Sequence, residues 1–347
     1  MKIESLQAGR GIAALAVLLS HTADYMAVPQ YFDYRPFGGA LEFGFAGVDY
    51  FFVLSGFIIY FVNRDAIGRA AAVPLYLMRR VIRIYPIYWV LTVVTVLAYL
   101  LLPVARQGFE LEPATLFTSL TLLPGGQTLV ASGWTLVYEI LFYAIFALFI
   151  ARPRVGLVVI VMWQAATVAY WLGAMHGTVV ADYLFYLRNL HFGLGMAAAH
   201  LFCRARVRWP RMLAALGSLG LAVLWFLFSS HSGALSWNGY FIALAFASVA
   251  VLLGLAQAER DGTLRTPKTL RYLGDASYSV YLVHPSAALV LTKGLLFAGA
   301  GSWMPPFAAF AIVTVGALAS GIVLYALVEK PLLSVCRTWA EGRRDRR

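Results

Sequence analysis

The sequence predicts an all-α polytopic membrane protein with about ten transmembrane helices and with both termini on the cytoplasmic side. Of its 347 residues, 61% are hydrophobic and only 12% are charged, and the mean hydropathy is +0.76. Soluble domains carry roughly a quarter charged residues, so this composition excludes a water-soluble fold. Apolar stretches of about 20 residues recur along the whole chain, and basic residues cluster in every second connection between them.

The apolar stretches define the predicted spans in chain order. They cover residues 6–28, 43–63, 81–102, 132–150, 155–173, 181–202, 212–228, 237–257, 276–297 and 307–328. The stretch 113–123 is too short to span a bilayer and is flanked by prolines, so we predict an interfacial or re-entrant piece on the outer side. We expect one domain over residues 1–335, followed by a basic cytoplasmic tail over residues 336–347.

The orientation follows from the basic residues, because Lys and Arg in short loops resist translocation. All but four of the 27 Lys and Arg residues fall in alternate segments between the spans, and these segments include both ends of the chain. The four on the predicted outer half are Arg35, Arg106, Arg188 and Lys293. The formal charge of +11 therefore reflects topology and attraction to anionic membrane lipid, and we expect no nucleic-acid partner. Neither of the two cysteines has metal-ligand spacing, so no metal is expected.

Ionisable side chains inside the first two spans are the first candidates for function, because such groups are costly in a bilayer. Arg10 and His21 are eleven residues apart, which places them on nearly the same face of a helix, about 16 Å apart along its axis. Asp49 lies in the outer third of the second span, at a depth close to that of His21. A carboxylate and an imidazole are expected to meet there.

The third span begins with a pair of basic residues, Arg80 and Arg83, on neighbouring positions of one helix face. Such a pair of guanidinium groups suits a phosphate, which arginine binds in a bidentate manner. The alternative is that these residues only anchor the cytoplasmic end of the span. This alternative weighs less for Arg83, because it lies deeper.

The fourth span places Thr135 and Glu139 on one face in its outer third, and Glu139 is not expected to face lipid. Trp134 fits two roles equally well, an aromatic residue at the membrane interface or a substrate-binding residue. We include Trp134, Tyr138 and Arg188 as candidates for substrate binding. The favoured reading of Arg188 is that it neutralises Glu139 or Asp49 without taking part in chemistry.

The ninth span carries a polar stripe formed by Ser277, Tyr281 and His284 at offsets of four and three residues. Pro285 follows and cannot donate to the carbonyl of Tyr281, which predicts a kink beside His284. A packing role for the histidine is one reading. A polar lining for a substrate passage is slightly favoured.

In their order along the chain, these motifs resemble acyltransferase family 3, the integral membrane O-acyltransferases. The resemblance spans nearly the whole sequence, and residues 6–14 are most similar to its exopolysaccharide O-acetyltransferase branch. Its most specific parts are Arg10 and His21, the stretch from Gly47 to Phe57, Arg80 and Arg83, Trp134 to Glu139, Ser277 to His284, and Glu329-Lys330-Pro331. Thr135 departs from the serine that the family often has. No appended hydrolase-like domain is present in this sequence, so transfer is expected to finish within the membrane domain.

The resemblance implies a bacterial enzyme of the cytoplasmic membrane that uses acetyl-CoA or another acyl-CoA as donor. The acceptor would be a hydroxyl of a polysaccharide or lipid-linked oligosaccharide, or alternatively of a small glycoside; an oligomer is compatible with this. Arg10, Arg80 and Arg83 would bind the donor phosphates, with Ser277, Tyr281 and His284 along the donor path.

His21 would act as general base, with Asp49 or Glu139 orienting its ring, or as the site of a covalent acyl intermediate. The rival classes are a secondary transporter or flippase and a structural partner in polysaccharide export.

Overall fold

The computed structural model of the protein describes residues 3–102, 108–174, 177–231 and 233–342. Over these ranges every regular element is helical, as the sequence predicts. Arg106 and residues 343–347 of the predicted tail lie outside the described residues. The α-helices are α1 (Glu4–Ala27), α2 (Ala46–Asn63), α3 (Val73–Leu101), α4 (Pro113–Thr121), α5 (Trp134–Ala151), α6 (Pro153–Trp171), α7 (Val179–Leu184), α8 (Asn189–Arg204), α9 (Pro210–Ser229), α10 (Trp237–Arg260), α11 (Lys268–Phe297), α12 (Ala300–Trp303), α13 (Pro306–Leu324) and α14 (Lys330–Gly342).

Eight helical stretches in the described part of the chain are long and apolar enough to cross a membrane. They are Pro36–Ala66, Ala70–Leu101, Ala131–Ala151, Pro153–Trp171, Pro210–Ser229, Trp237–Arg260, Lys268–Phe297 and Pro306–Cys336. The first and sixth predicted spans fall on α1 and α8, which are not among the eight. Helix α8 has only 16 residues, and α1 carries Arg10, His21 and Asp24, which lower its hydropathy.

Two compact units make up the chain. The first comprises Met1–Val62 and Leu190–Ile322, and the second comprises Asn63–Asn189 and Val323–Arg347. The boundary predicted at residue 335 falls inside α14 and stays a prediction.

Close backbone contacts of α1 organise the first unit. Helix α2 packs antiparallel on α1, where a Cβ on Gly47 would lie 2.5 Å from the carbonyl oxygen of Ala13. Helix α11 runs parallel to α1, and a Cβ on Gly274 would lie only 1.9 Å from the carbonyl oxygen of Gln7. Small residues therefore let polar groups of α1 and α11 approach one another, which is how membrane helices associate.

The N-terminus of α1 is held by the end of α10. The backbone N–H groups of Glu4 and Ser5 donate to the carboxylate of Glu259 at 2.7 and 2.6 Å. Arg271 of α11 forms an ion pair with Glu4. A carboxylate at a helix N-terminus is favourable because the first N–H groups have no partner within the helix.

The second unit contains α3 to α7 and α14. The short helix α4 confirms that residues 113–123 do not span a bilayer, and its C-terminal carbonyls accept hydrogen bonds from two aromatic residues of α3. Tyr85 Oη donates to Thr121 at 2.7 Å, and Trp89 Nε1 donates to Leu120 at 2.9 Å.

The predicted sixth span was wrong in its continuity, because α7 ends at Leu184 and α8 begins at Asn189. The Asn189 side-chain amide donates to the carbonyls of Tyr183 and Leu184 at 3.1 and 3.0 Å. These carbonyls at the end of α7 thereby gain hydrogen-bond partners. Asparagine side chains often bond to nearby backbone groups in this way and interrupt a helix.

Candidate active site

The two histidines singled out on α1 and α11 are in direct contact. His21 Nδ1 lies 2.8 Å from His284 Nε2, and the rings are nearly parallel, with an interplanar angle of 9° and centroids 5.0 Å apart. His284 is completely buried, whereas His21 is half-buried. His284 Nδ1 lies 3.1 Å from the carbonyl oxygen of Val280, one helical turn earlier. A histidine of the predicted donor path is therefore the partner of the predicted base.

The same pair of helices also joins Arg10 to the polar stripe of α11. Arg10 Nε donates to Ser277 Oγ at 3.2 Å, and Ser277 Oγ in turn donates to the carbonyl of Gly274 at 2.7 Å. The ring of Tyr281 lies 5.8 Å from that of His284. Ser277 and His284 of the stripe thus face Arg10 and His21, while the Tyr281 ring packs against Phe51 of α2. Helix α11 continues as one helix through Pro285.

Asp49 is completely buried on α2 and has a histidine partner on α8. Its Oδ1 lies 3.0 Å from Nε2 of His191, which is also buried. The sequence predicts that a carboxylate and an imidazole meet here, with His21 as the imidazole. The contact with His191 favours a role for Asp49 in holding α2 against α8, and its role toward His21 stays a prediction.

Arg80 of α3 lies between two tyrosine rings of the second unit. Its Cζ is 5.9 Å from the centre of the Tyr76 ring and 5.8 Å from that of Tyr143. Arg80 Nε is buried and has no hydrogen-bond partner among the described residues. Tyr143 Oη donates to Glu139, one turn earlier on α5. The two rings fix the guanidinium group by cation–π contact while leaving hydrogen-bonding capacity on it.

Arg83 is held differently. Its Nη1 lies 2.6 Å from Oε1 of Glu329, a carboxylate with no exposed surface, at the end of a π-helical turn over Tyr325–Glu329. The Arg83 side chain itself is 27% exposed. One guanidinium nitrogen therefore neutralises a buried carboxylate, while the rest of the side chain remains partly accessible.

Aromatic rings surround the remaining substrate-binding candidates. Tyr138 stacks on Tyr186 at 5.2 Å and packs against Trp134 at 6.0 Å between centroids. Arg188 Cζ lies 5.9 Å from the Trp134 ring, and its Nη1 donates to Tyr186 Oη at 3.1 Å. Aromatic faces and a guanidinium group are suited to the apolar and hydroxylated sides of a sugar ring.

Several of these partners were missed from sequence. His191 and Glu329 were given no role, and Tyr76, Tyr143 and Tyr186 were not singled out. Helical spacing offered a signal for two of them, because Tyr76 precedes Arg80 by four residues and Tyr143 follows Glu139 by four. In the part of the chain that the structure describes, no three His, Cys, Asp or Glu side chains are grouped to hold a metal ion.

Comparisons with known proteins identify the family of the chain. The acyltransferase domain family matches residues 3–326. The chain is 34% identical to the exopolysaccharide production protein ExoZ of Rhizobium meliloti (strain 1021), over 85% of this chain and 92% of that protein. It is 25% identical to nodulation protein 10 of Rhizobium leguminosarum bv. viciae, over 96% and 94%. No solved structure matches significantly. The chain therefore belongs to acyltransferase family 3, the membrane O-acyltransferases that its motifs resemble.

Proposed function

We propose that this protein transfers an acyl group, with acetyl expected, from cytoplasmic acyl-CoA to a hydroxyl of an exopolysaccharide or of its lipid-linked precursor. The observation that carries the proposal is the half-buried imidazole of His21, which contacts His284 of α11. Arg10 lies on the same helix as His21, in the part predicted to be cytoplasmic. The relative ExoZ is an exopolysaccharide production protein, which supports a polysaccharide acceptor.

The chemistry assigned to His21 is general base catalysis. Its ring takes the proton from the acceptor hydroxyl while the hydroxyl oxygen forms a bond to the thioester carbonyl carbon. The carbon–sulfur bond then breaks, and the proton passes from His21 to the departing thiolate, which gives an ester and free coenzyme A. In the covalent alternative, the His21 ring attacks the thioester carbonyl, the carbon–sulfur bond breaks and coenzyme A leaves as the thiolate. The acceptor hydroxyl then attacks the acyl group, its proton passes to the thiolate, and the bond to His21 breaks, which gives the same ester and free coenzyme A.

Binding of the donor phosphates is assigned to arginine. Arg80 is favoured by its buried Nε, which has no hydrogen-bond partner among the described residues, and by the two tyrosines that position its side chain. Arg83 and Arg10 remain candidates, although each also has a protein partner. Guanidinium groups suit this role because they present fixed pairs of donors to phosphate oxygens.

The location that fits an acyl-CoA donor is the bacterial cytoplasmic membrane, with the donor arginines at its inner face. The rival assignment, a transporter or flippase, would use the same polar groups without bond formation. It gives no reason for the position of Arg10 on the same helix track as His21, whose ring is paired with His284 of another helix.

The test is to incubate purified protein in detergent or vesicles with radiolabelled acetyl-CoA and exopolysaccharide, and to measure label in the polymer. We expect transfer by the parent chain, and a loss of about 10²- to 10⁴-fold in His21→Ala, as for removal of a positioned base. His21→Ala should retain acetyl-CoA binding, which distinguishes lost chemistry from misfolding. Movement of an acyl or sugar compound across vesicles without ester formation would overturn the proposal in favour of the transporter.

A further inference from the structure

We propose that His284 is a positioning residue that fixes His21 in the single tautomer able to act as a base, with the proton on Nδ1 and the lone pair on Nε2. The proposal rests on the proposed function for its consequence in catalysis. Its structural part rests only on the contacts among Val280, His284 and His21.

The first step concerns the buried end of this chain of contacts. His284 Nδ1 lies 3.1 Å from the carbonyl oxygen of Val280. A carbonyl oxygen only accepts hydrogen bonds, so Nδ1 of His284 must carry the hydrogen. The direction of this hydrogen bond is set by the backbone carbonyl of α11 and does not depend on any titrating group.

The second step concerns the other nitrogen of His284. A neutral imidazole has one donor and one acceptor, so Nε2 of His284 accepts once Nδ1 donates. A second proton would place a charge on a side chain with no exposed surface inside a membrane helix, which is strongly unfavourable. His21 Nδ1, 2.8 Å away, must therefore be the donor to His284.

The third step gives the state of the reactive nitrogen. With the hydrogen on Nδ1, neutral His21 has its lone pair on Nε2, the nitrogen directed away from His284. That lone pair accepts the hydroxyl proton in direct transfer, or attacks the thioester carbonyl in the covalent route. Both routes need the same tautomer, so the inference does not depend on which is used.

The close packing of α1 and α11 holds His21 and His284 in the geometry that their hydrogen bond requires. The two helices approach so closely at Gly274 that a Cβ would meet the Gln7 carbonyl at 1.9 Å. At this contact the two helices pack backbone to backbone, and the two rings lie at an interplanar angle of 9°. An orienting hydrogen bond of this kind is how proteins select one tautomer of a functional histidine.

Two substitutions of His284 form a matched test. In His284→Gln, the side-chain oxygen reaches the position of Nε2 and can accept from His21. In His284→Asn, the shorter amide reaches only the position of Nδ1, so it keeps a contact with Val280 and offers His21 no acceptor. We expect kcat for acyl transfer to fall on the order of 10- to 100-fold in His284→Asn, with little change in KM for acetyl-CoA. His284→Gln should stay within a few-fold of the parent.

A direct reading of the tautomer uses NMR of isotope-labelled histidine nitrogens in the parent protein, with His21→Asn to assign the His21 signals. Protonated and unprotonated ring nitrogens differ in chemical shift. We expect unprotonated Nε2 in His21 of the parent and a mixture of tautomers in His284→Asn.

Finding the hydrogen on Nε2 of His21 in the parent would overturn the inference without help from any variant. Equal loss of kcat in His284→Gln and His284→Asn would also overturn it, because the acceptor would then not matter. If the parent transfers no acyl group, the proposed function fails, and the NMR result still decides the tautomer.

Discussion

Arg83 and Glu329 form an ion pair at 2.6 Å between residues 246 positions apart in the chain. Glu329 is completely buried, so this arginine contributes to charge balance whatever else it binds. A simple Arg83→Ala substitution therefore cannot separate a donor-binding role from a structural one. The pair has to be changed together.

We predict that Arg83→Ala destabilises the protein by roughly 3–5 kcal/mol, because it removes a charged partner from a buried carboxylate. The double variant Arg83→Ala/Glu329→Gln should recover much of that loss, since the amide carries no charge. Thermal unfolding in detergent measures both. Equal stability of the single and double variants would show that Glu329 does not depend on Arg83.

The double variant also isolates the role of Arg83 in donor binding. If Arg83 contacts coenzyme A phosphates, the affinity for acetyl-CoA remains reduced in the double variant although its stability is recovered. Arg83→Lys should then restore only part of the affinity, because a point charge does not reproduce the bidentate contact of a guanidinium group. Parent-like affinity in the double variant would make Arg83 a purely structural cation.

Arg80 offers a sharper test of the donor site. We expect Arg80→Ala to weaken acetyl-CoA binding on the order of tenfold or more, the loss of a charge-assisted hydrogen bond of about 1.5–3 kcal/mol. Arg79→Ala is the control, because this neighbour on α3 is exposed and has the same charge. Isothermal titration with purified protein measures both affinities. The same affinity loss in both variants would indicate general electrostatic attraction and no defined site.

The contact between α1 and α11 can be tested with two glycines of one helix. Gly274→Ala brings a Cβ against the Gln7 carbonyl, and Gly294→Ala brings one into open space, with no atom within 4 Å. We expect Gly274→Ala to lower the free energy of unfolding by about 1–3 kcal/mol, as overpacking does, and to lower acyl transfer as well. Gly294→Ala should leave acyl transfer unchanged and raise the free energy of unfolding by up to about 1 kcal/mol, since alanine favours the helix over glycine. A Gly274→Ala protein with parent activity would show that the histidine pair tolerates separation of the helices.

Orientation is tested by cysteine labelling after Cys203 and Cys336 have been replaced by serine. A membrane-impermeant reagent applied from outside should label Gln30→Cys and Ala234→Cys, and should not label Arg69→Cys or Arg265→Cys. All four positions are exposed, so access depends on the side of the membrane. The opposite pattern would reverse the topology and move the donor arginines to the outer face.

Sequence reasoning succeeded where the signal is local. Apolar length predicts the eight long helices, and helical period places Arg10 and His21 on one track, and Ser277, Tyr281 and His284 on another. The pairs that define the site are not local. His21 and His284 are 263 residues apart, and their contact depends on which small residues let two helices touch. Period and hydropathy say which face is polar, but not which helix that face meets. For the same reason the contact of Asp49 on α2 with His191 on α8 was not predicted.

The partners of α1 have a consequence for the order in which the protein is made. Helix α1 is synthesised early, is not among the eight strongly apolar helices, and carries Arg10 and His21 into the bilayer. The groups that satisfy it, Glu259, Ser277 and His284, are synthesised more than two hundred residues later. We therefore expect a nascent chain released before α11 to hold α1 poorly in the membrane, so that the reaction centre is completed late in biogenesis.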